Sequence, residues 1–397
     1  MGLTDIADPA LYRAEVPERE WKALRAVGRP VLFAGDPAHW AVTRHQQVDE
    51  VYRRASSFSS EHGMHLGAPG SRATIAARAA AGKCLLVTDD PVHAAIRRSV
   101  AAWFTPRALQ RLSSSAHETA ASLVASALAA GETDFVPHVG APLPSILICD
   151  LVGVPERDRS YVMVLTQDAF GDAEEADADR QVSANAELFA YCDELVTSKR
   201  RRPGDDVATA LAQGEVAGQP MSHETAVLNC HDLFAAGNET ARHTSAAALL
   251  TMMTHPGEWT GLRAGAVSFE SATEELLRYE ASVSHVMRVA LEDVEVGGVT
   301  IRAGEFVTLW LRSANRDELV FDRPDDLIFS RSPNNHVTFG RGAHFCLGSH
   351  LARMEIASLL HALVELVATV ELVGEPVRLA SSFLRGFSSL PVRLHGR

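Results

Sequence analysis

Residues 336–360 read HVTFGRGAHFCLGSHLARMEIASLL. A loop containing Gly340, Gly342 and Gly348 presents one cysteine, Cys346, immediately before an amphipathic helical pattern. Glycine allows backbone conformations and close approaches that a Cβ forbids, so this spacing describes a tight loop built around a sulfur atom. A thiolate near a helix amino terminus is favoured by the helix dipole and the free N–H groups there. A single thiolate is also one of the recognised axial ligands of haem iron. Two other readings fit the same residues. An isolated cysteine is often a small buried hydrophobe, and His344 with Cys346 is a possible start of a zinc site. Zinc normally takes three or four protein ligands, and no second Cys/His pair accompanies this one.

The chain around this loop has 397 residues, 46% of them hydrophobic and 22% charged, with a formal charge of −13. That is ordinary globular composition. The acidic total argues against sequence-independent binding to nucleic acid or an anionic membrane, leaving small molecules and proteins as partners. The amino terminus shows no basic region followed by an apolar stretch, and no apolar run approaches a membrane span. Five cysteines are scattered without paired spacing, which points to a reducing cytoplasm.

Helical periodicity dominates from about residue 90 onward, in HETAASLVASALAA, AELFAYCDELVTSKRRR and EIASLLHALVELVATV. Strand signals are short and peripheral: RPVLFA, HWAVTR, VEVGGVTI, FVTLWL and LPVRL. The expected architecture is mainly α, one domain over 1–397, with small sheets beside a helical body. Residues 62–83 and 171–179 read as mobile surface loops, the first rich in Gly, Ala and Ser, the second acidic.

The segment from Phe339 to Gly348, FGRGAHFCLG, resembles the haem-binding signature of the cytochromes P450, with every signature position filled. The resemblance implies the P450 fold of the soluble bacterial type. It implies heme b with Cys346 as the proximal iron ligand, Phe339 packed near it, and Gly340 and Gly348 shaping the loop. His344 would bond a haem propionate. In TDDPVHAAIRRSV, His93 and Arg97 stand four apart, and Arg288 in VMRVALEDVEVGG is the third propionate partner by resemblance. In SATEELLRYE, Glu275 and Arg278 are spaced for an ion pair, which the resemblance extends to an arginine of a following loop, with Arg316 as the candidate.

The pattern HDLFAAGNETARHTSAAALLTMMTHP is one long helix, opened by Ser222 as a capping residue and carrying Gly237 in its interior at a cost of about 1 kcal/mol relative to Ala. By resemblance, Ala236-Gly237-Asn238-Glu239-Thr240 is the kink where oxygen binds, with Glu239 and Thr240 relaying protons. Taken alone, the same residues describe a bent core helix with an exposed Glu and a back-bonded Thr. Ala241 stands where the family often has a second hydroxyl, and the role of Arg242 is open. Arg302 and Glu318 occupy places where proline is frequent in the family, which puts only local turn geometry in doubt.

The implied activity is insertion of one oxygen atom from O2 into a small organic substrate, by hydroxylation or epoxidation. Secondary metabolism is the expected setting, and the substrate is free or carrier-bound. Electrons would come from NAD(P)H through a separate ferredoxin and ferredoxin reductase, docking where Arg341, Arg353 and Arg98 form a basic patch. Substrate contacts are expected from the 62–83 loop, the acidic loop, Leu233, Ala236, Ser282 to Val286 and Leu384 to Phe387. The alternative is a haem-binding sensor or ligand-storage protein without turnover.

Overall fold

The computed structural model describes residues 3–12, 17–67, 71–170 and 178–397. In chain order, the helices used below are α1 (Arg72–Ala80), α2 (Val92–Ala101), α3 (Ser113–Ala130), α4 (Pro142–Val152), α5 (Ala178–Arg201), α6 (His223–Thr254), α7 (Phe269–Tyr279) and α8 (Ser349–Leu366). The strands are β1 (Val31–Phe33), β2 (His39–Val42), β3 (Phe58–Ser59), β4 (Glu132–Asp134), β5 (His285–Ala290), β6 (Val294–Val296), β7 (Val299–Ile301), β8 (Phe306–Trp310), β9 (Val367–Leu372) and β10 (Pro391–Gly396). These elements fall into two compact units. One comprises Met1–Ala94, Glu274–Cys346 and Arg378–Arg385; the other comprises Ala95–Thr273, Leu347–Val377 and Gly386–Arg397.

The first unit is built on a five-stranded sheet in the order β1-β2-β8-β5-β3. Strand β8 runs parallel to β2 and antiparallel to β5. All six residues of β5, HVMRVA, are buried, so the strand gives no polar alternation in the sequence and was not among the expected strands. Strands β1, β2 and β8 of the same sheet were, and the hairpin of β6 and β7 lies in VEVGGVTI as expected. Val42, Val48, Val51, Phe58, Val286, Val307 and Leu309 form the apolar cluster beneath the sheet.

The second unit is helical, with a three-stranded antiparallel sheet of β9, β10 and β4 and a two-stranded hairpin of Glu215–Val216 and Gln219–Pro220. Helix α6 has 32 residues, which at about 1.5 Å per residue makes it about 48 Å long, and it is buried along most of its course. Ser222 caps it as expected, its hydroxyl accepting from the Thr225 amide at 3.0 Å. On α3 the buried positions are Ala116, Ala120, Val124 and Ala127, a stripe of small residues on one face that lets α8 pack closely.

Two local expectations change. The periodicity carried a helix through VATV, but α8 ends at Leu366 and Val367 opens β9. The β-branched residues Val367, Thr369 and Val370 pair with β10 instead, an interaction that helical spacing cannot anticipate. The 62–83 segment contains α1, which Ser71 caps by accepting from the Thr74 amide at 3.2 Å. Its run of alanines has high helix propensity without strong periodicity. Within the acidic loop, residues 171–177 lie outside the described residues.

The buried side of α8 includes a carboxyl. Glu355 has its Oε1 without a hydrogen-bond partner, and burial pushes its pKa up to about 8. A carboxyl whose pKa is raised on folding keeps a proton that the unfolded chain releases above about 4.5, so stability falls as pH climbs from there towards about 8. Glu355→Gln removes this liability while keeping the shape. The variant is expected to gain on the order of a few kcal/mol over the parent at pH 8, and little at pH 5, by chemical denaturation. An equal effect at both pH values would mean that the group is ionised in the folded protein.

Candidate active site

In the first unit, the cysteine loop is shaped by its glycines and by Tyr52. Gly340 and Gly342 both have φ of +67°, the left-handed region that favours glycine. A Cβ on Gly342 would stand 2.7 Å from the Tyr52 carbonyl oxygen, and one on Gly340 would press on the Tyr52 ring at 3.2 Å. Gly348 differs from expectation. Its φ is −82°, and a Cβ there would enter open space, so neither backbone nor neighbours require glycine at that position.

The loop closes on itself where the Cys346 amide donates to the Phe339 carbonyl at 2.8 Å. This fixes the backbone carrying the sulfur. Cys346 is half-buried and forms no disulfide. The Phe339 ring lies 6.3 Å from that of Phe345, an apolar flank to the loop. The His344 ring sits over the His93 ring at 4.0 Å and bonds the Ser60 hydroxyl at 3.2 Å. His93 also approaches Asp90 at 3.3 Å.

Arg288, on β5, is buried to 7% exposure. Its guanidinium donates to the Met287 carbonyl at 2.7 Å and lies 5.8 Å from the centre of the Tyr52 ring. Burial pulls its pKa down, opposed by Tyr52 and Asp89, and burial pushes the Tyr52 hydroxyl up to about 12. Among the described residues no carboxylate lies within ion-pair distance of Arg288. A buried cation without an anion is costly, so the residue is placed to receive one. Phe339, Gly340, His344, Cys346, His93 and Arg288 are thus brought together in one unit, joined through Tyr52 and Ser60. Neither of those two was anticipated, because nothing in their local sequence distinguishes them.

Behind this loop, Glu275 and Arg278 are both fully buried and form the expected pair through two bonds of 2.8 Å. The third member is Arg331, not Arg316. Arg331 donates through Nε to both Glu275 oxygens at 3.1 Å, and Asn334 and the Ile328 amide complete the shell. Arg316 instead lies 4.0 Å over the Tyr279 ring and pairs with Asp325 at 3.5 Å. At the two positions noted for lacking proline, side chains hold the turns. Glu318 accepts from Arg25 and Arg44, each at 3.0 Å, and the Arg302 amide donates to Glu305 at 2.8 Å.

In the second unit, Ala236, Gly237, Glu239 and Thr240 lie on α6, which continues as helix through all of them. The opening implied by resemblance appears here only as a back-bond, the Thr240 hydroxyl donating to the Ala236 carbonyl at 3.0 Å. Gly237 answers to packing. A Cβ there would meet Ile148 of α4 at 3.2 Å. Next to it, Asn238 is buried and accepts from the Ser145 hydroxyl at 2.6 Å while donating to the Phe234 carbonyl at 2.7 Å. Glu239 is not exposed: its carboxylate accepts from Arg242 at 2.6 Å and faces His243 at 3.4 Å. The open question about Arg242 therefore resolves to a salt bridge. Arg97 sits half-buried on α2.

The cytochrome P450 family model matches residues 269–370. The chain is 35% identical to cytochrome P450 NovI of Streptomyces niveus over 99% of its own length and 96% of that protein's. It is 33% identical to the linalool 8-monooxygenase of Pseudomonas putida, over 99% of both. Of the solved structures, that of P450 OxyD, involved in the biosynthesis of vancomycin-type antibiotics, superposes with a TM-score of 0.90 at 32% identity, covering 99% of this chain and 100% of that one. With relatives this similar over its whole length, and with the helical body and small sheets of their fold, the chain belongs to the cytochrome P450 monooxygenase family.

Proposed function

We propose that the chain holds heme b through Cys346 and inserts one oxygen atom into a small, largely apolar organic molecule, taking electrons from a separate ferredoxin and its reductase. The observation that carries this reading is the donor set of the first unit. A half-buried thiol on a glycine-shaped loop, two imidazoles in contact, and a buried guanidinium with no carboxylate at ion-pair distance among the described residues suit one iron and two propionates. The haem, when bound, supplies the dioxygen-activating chemistry.

The residues of the chain take the remaining roles. Cys346 offers sulfur as an anionic ligand, and His93, Arg97, Arg288 and His344 neutralise the propionates. Thr240 holds a hydroxyl proton, parked on the Ala236 carbonyl, which it can redirect when that bond breaks. Glu239 is the carboxylate placed to pass a proton on, and Arg242 at 2.6 Å holds it in position. Gly237 lets α6 pack against Ile148, and Phe339 flanks the cysteine loop beside Phe345.

The substrate side draws support from two expected segments that meet within the first unit. Val283 bridges Leu384, the Ser284 amide donates to the Phe383 carbonyl at 2.8 Å, and the Arg385 amide donates to the Ser282 carbonyl at 2.7 Å. Arg385 then pairs with Glu280 at 2.6 Å, tying the turn down. Among the relatives, one is a linalool monooxygenase and another a steroid C26-monooxygenase. P450BioI was solved with a fatty acid on an acyl carrier protein. We favour a medium-sized secondary metabolite, free or carrier-bound, oxidised in the cytoplasm. The electron donor would approach the cysteine side, where Arg341 is steadied by Asp49 at 3.5 Å and by the His336 carbonyl at 3.0 Å.

The test is the difference spectrum of the reduced protein with carbon monoxide. A strongly red-shifted Soret band places a thiolate opposite the gas. A band typical of histidine ligation, or no haem uptake, overturns the reading. Dioxygen-dependent product formation then separates an oxygenase from a protein that only senses or stores a ligand.

A further inference from the structure

The second unit carries a group of side chains that haem chemistry does not use. His117 on α3 and His361 and Glu365 on α8 place one ligand atom each within 4.8 Å of one another. His361 and Glu365 are four residues apart and so project from the same helical face, one turn from each other. His117 reaches them from α3, across the close packing that its small-residue stripe permits. The two imidazoles meet with centroids 5.0 Å apart, and Phe269 stacks on His361 at 3.5 Å and 19°, which fixes the plane of that ring. Among the described residues, neither imidazole nor the Glu365 carboxylate has a hydrogen-bonding protein partner. The histidines are half-buried and Glu365 is exposed, so an ion can enter from solvent.

We propose that these three residues form a binding site for a zinc-class divalent cation that clips α3 to α8. Two imidazoles and one carboxylate are a ligand set that zinc accepts, with water completing a tetrahedron. Ligand atoms around tetrahedral zinc stand about 3.3 Å apart, so these atoms, within 4.8 Å of one another, would draw together by up to about 1.5 Å on binding. The ion would tie the helix that follows Cys346 in sequence to a second helix of the same unit, at a site with its own ligands and independent of the haem assignment.

The experiment is titration calorimetry of the chelator-stripped, haem-loaded full chain with zinc chloride. One ion per chain is expected, with a micromolar Kd and a rise of about 3 °C in melting temperature at a hundredfold excess. His117→Ala and Glu365→Gln are each expected to weaken binding about tenfold or more and to abolish the thermal shift, while the carbon monoxide spectrum stays unchanged. His361 is left intact because it also packs on Phe269. Glu365 lies on the surface, so its variant reports on binding even if His117→Ala perturbs the α3 packing. Absence of uptake at millimolar zinc overturns the site. So does uptake that both variants retain, which would place the ion elsewhere, for instance on His223 and Asp193.

Discussion

Cys346→Ser is expected to eliminate the red-shifted carbon monoxide band and to reduce dioxygen-dependent turnover to background, with the fold kept. The exchange replaces a sulfur that ionises readily with a hydroxyl that stays protonated, so the anionic donor is lost. The loop itself should persist. Its closure depends on the Cys346 amide and the Phe339 carbonyl at 2.8 Å, and its shape on the two left-handed glycines and Tyr52, none of which involves the sulfur. The measurements are the spectrum, the haem content and the melting temperature of parent and variant side by side. A melting temperature within a few degrees of the parent, with the band gone, assigns the loss to ligation. If the band survives, the thiolate must come from Cys84, Cys149, Cys192 or Cys230, all of which are buried.

Glu275→Gln is the second large effect, and it acts on the fold. The Glu275 carboxylate is fully buried and serves two guanidinium groups, one amide side chain and one backbone amide. Burial already pulls the Arg278 pKa down, and Glu275 opposes that most directly. Glutamine leaves two buried cations without an anion and turns an NH2 group towards donors. Breaking a buried pair in this way costs about 3–5 kcal/mol, a large part of the stability of a typical protein. The expected result is a sharp fall in soluble, haem-loaded protein and a melting temperature lower by several degrees, with Glu275→Asp intermediate. A Glu275→Gln protein that melts with the parent would show that the network is dispensable.

These two sites also mark how far the sequence can be read. The cysteine loop was legible because its constraints are local: the left-handed turns of Gly340 and Gly342 and the position of Cys346 all fall within a few residues. The Glu275–Arg278 pair was legible for the same reason, being one helical turn. Its third member was not. Arg316 and Arg331 both follow at long range, and only the turn that bonds the Arg331 amide to the Ile328 carbonyl selects between them. Strand β5 was hidden because complete burial removes the alternation that announces a strand. The end of α8 was hidden because VATV stays apolar while its partner, β10, arrives from the far end of the chain. The site residues Ser60 and Tyr52 carry no signal of their own, since each acts by reaching a group distant in sequence.

The contact between Gly237 and Ile148 has a consequence for variation in this chain. A methyl group at 237 would stand 3.2 Å from the Ile148 Cδ1, so the two positions share one fixed volume. Alanine at 237 requires the Ile148 side chain to give by a few tenths of an ångström. Lineages that acquire alanine at 237 should carry a shorter side chain at 148, and directed-evolution libraries that randomise the α6 segment will discard useful variants unless they randomise 148 with it.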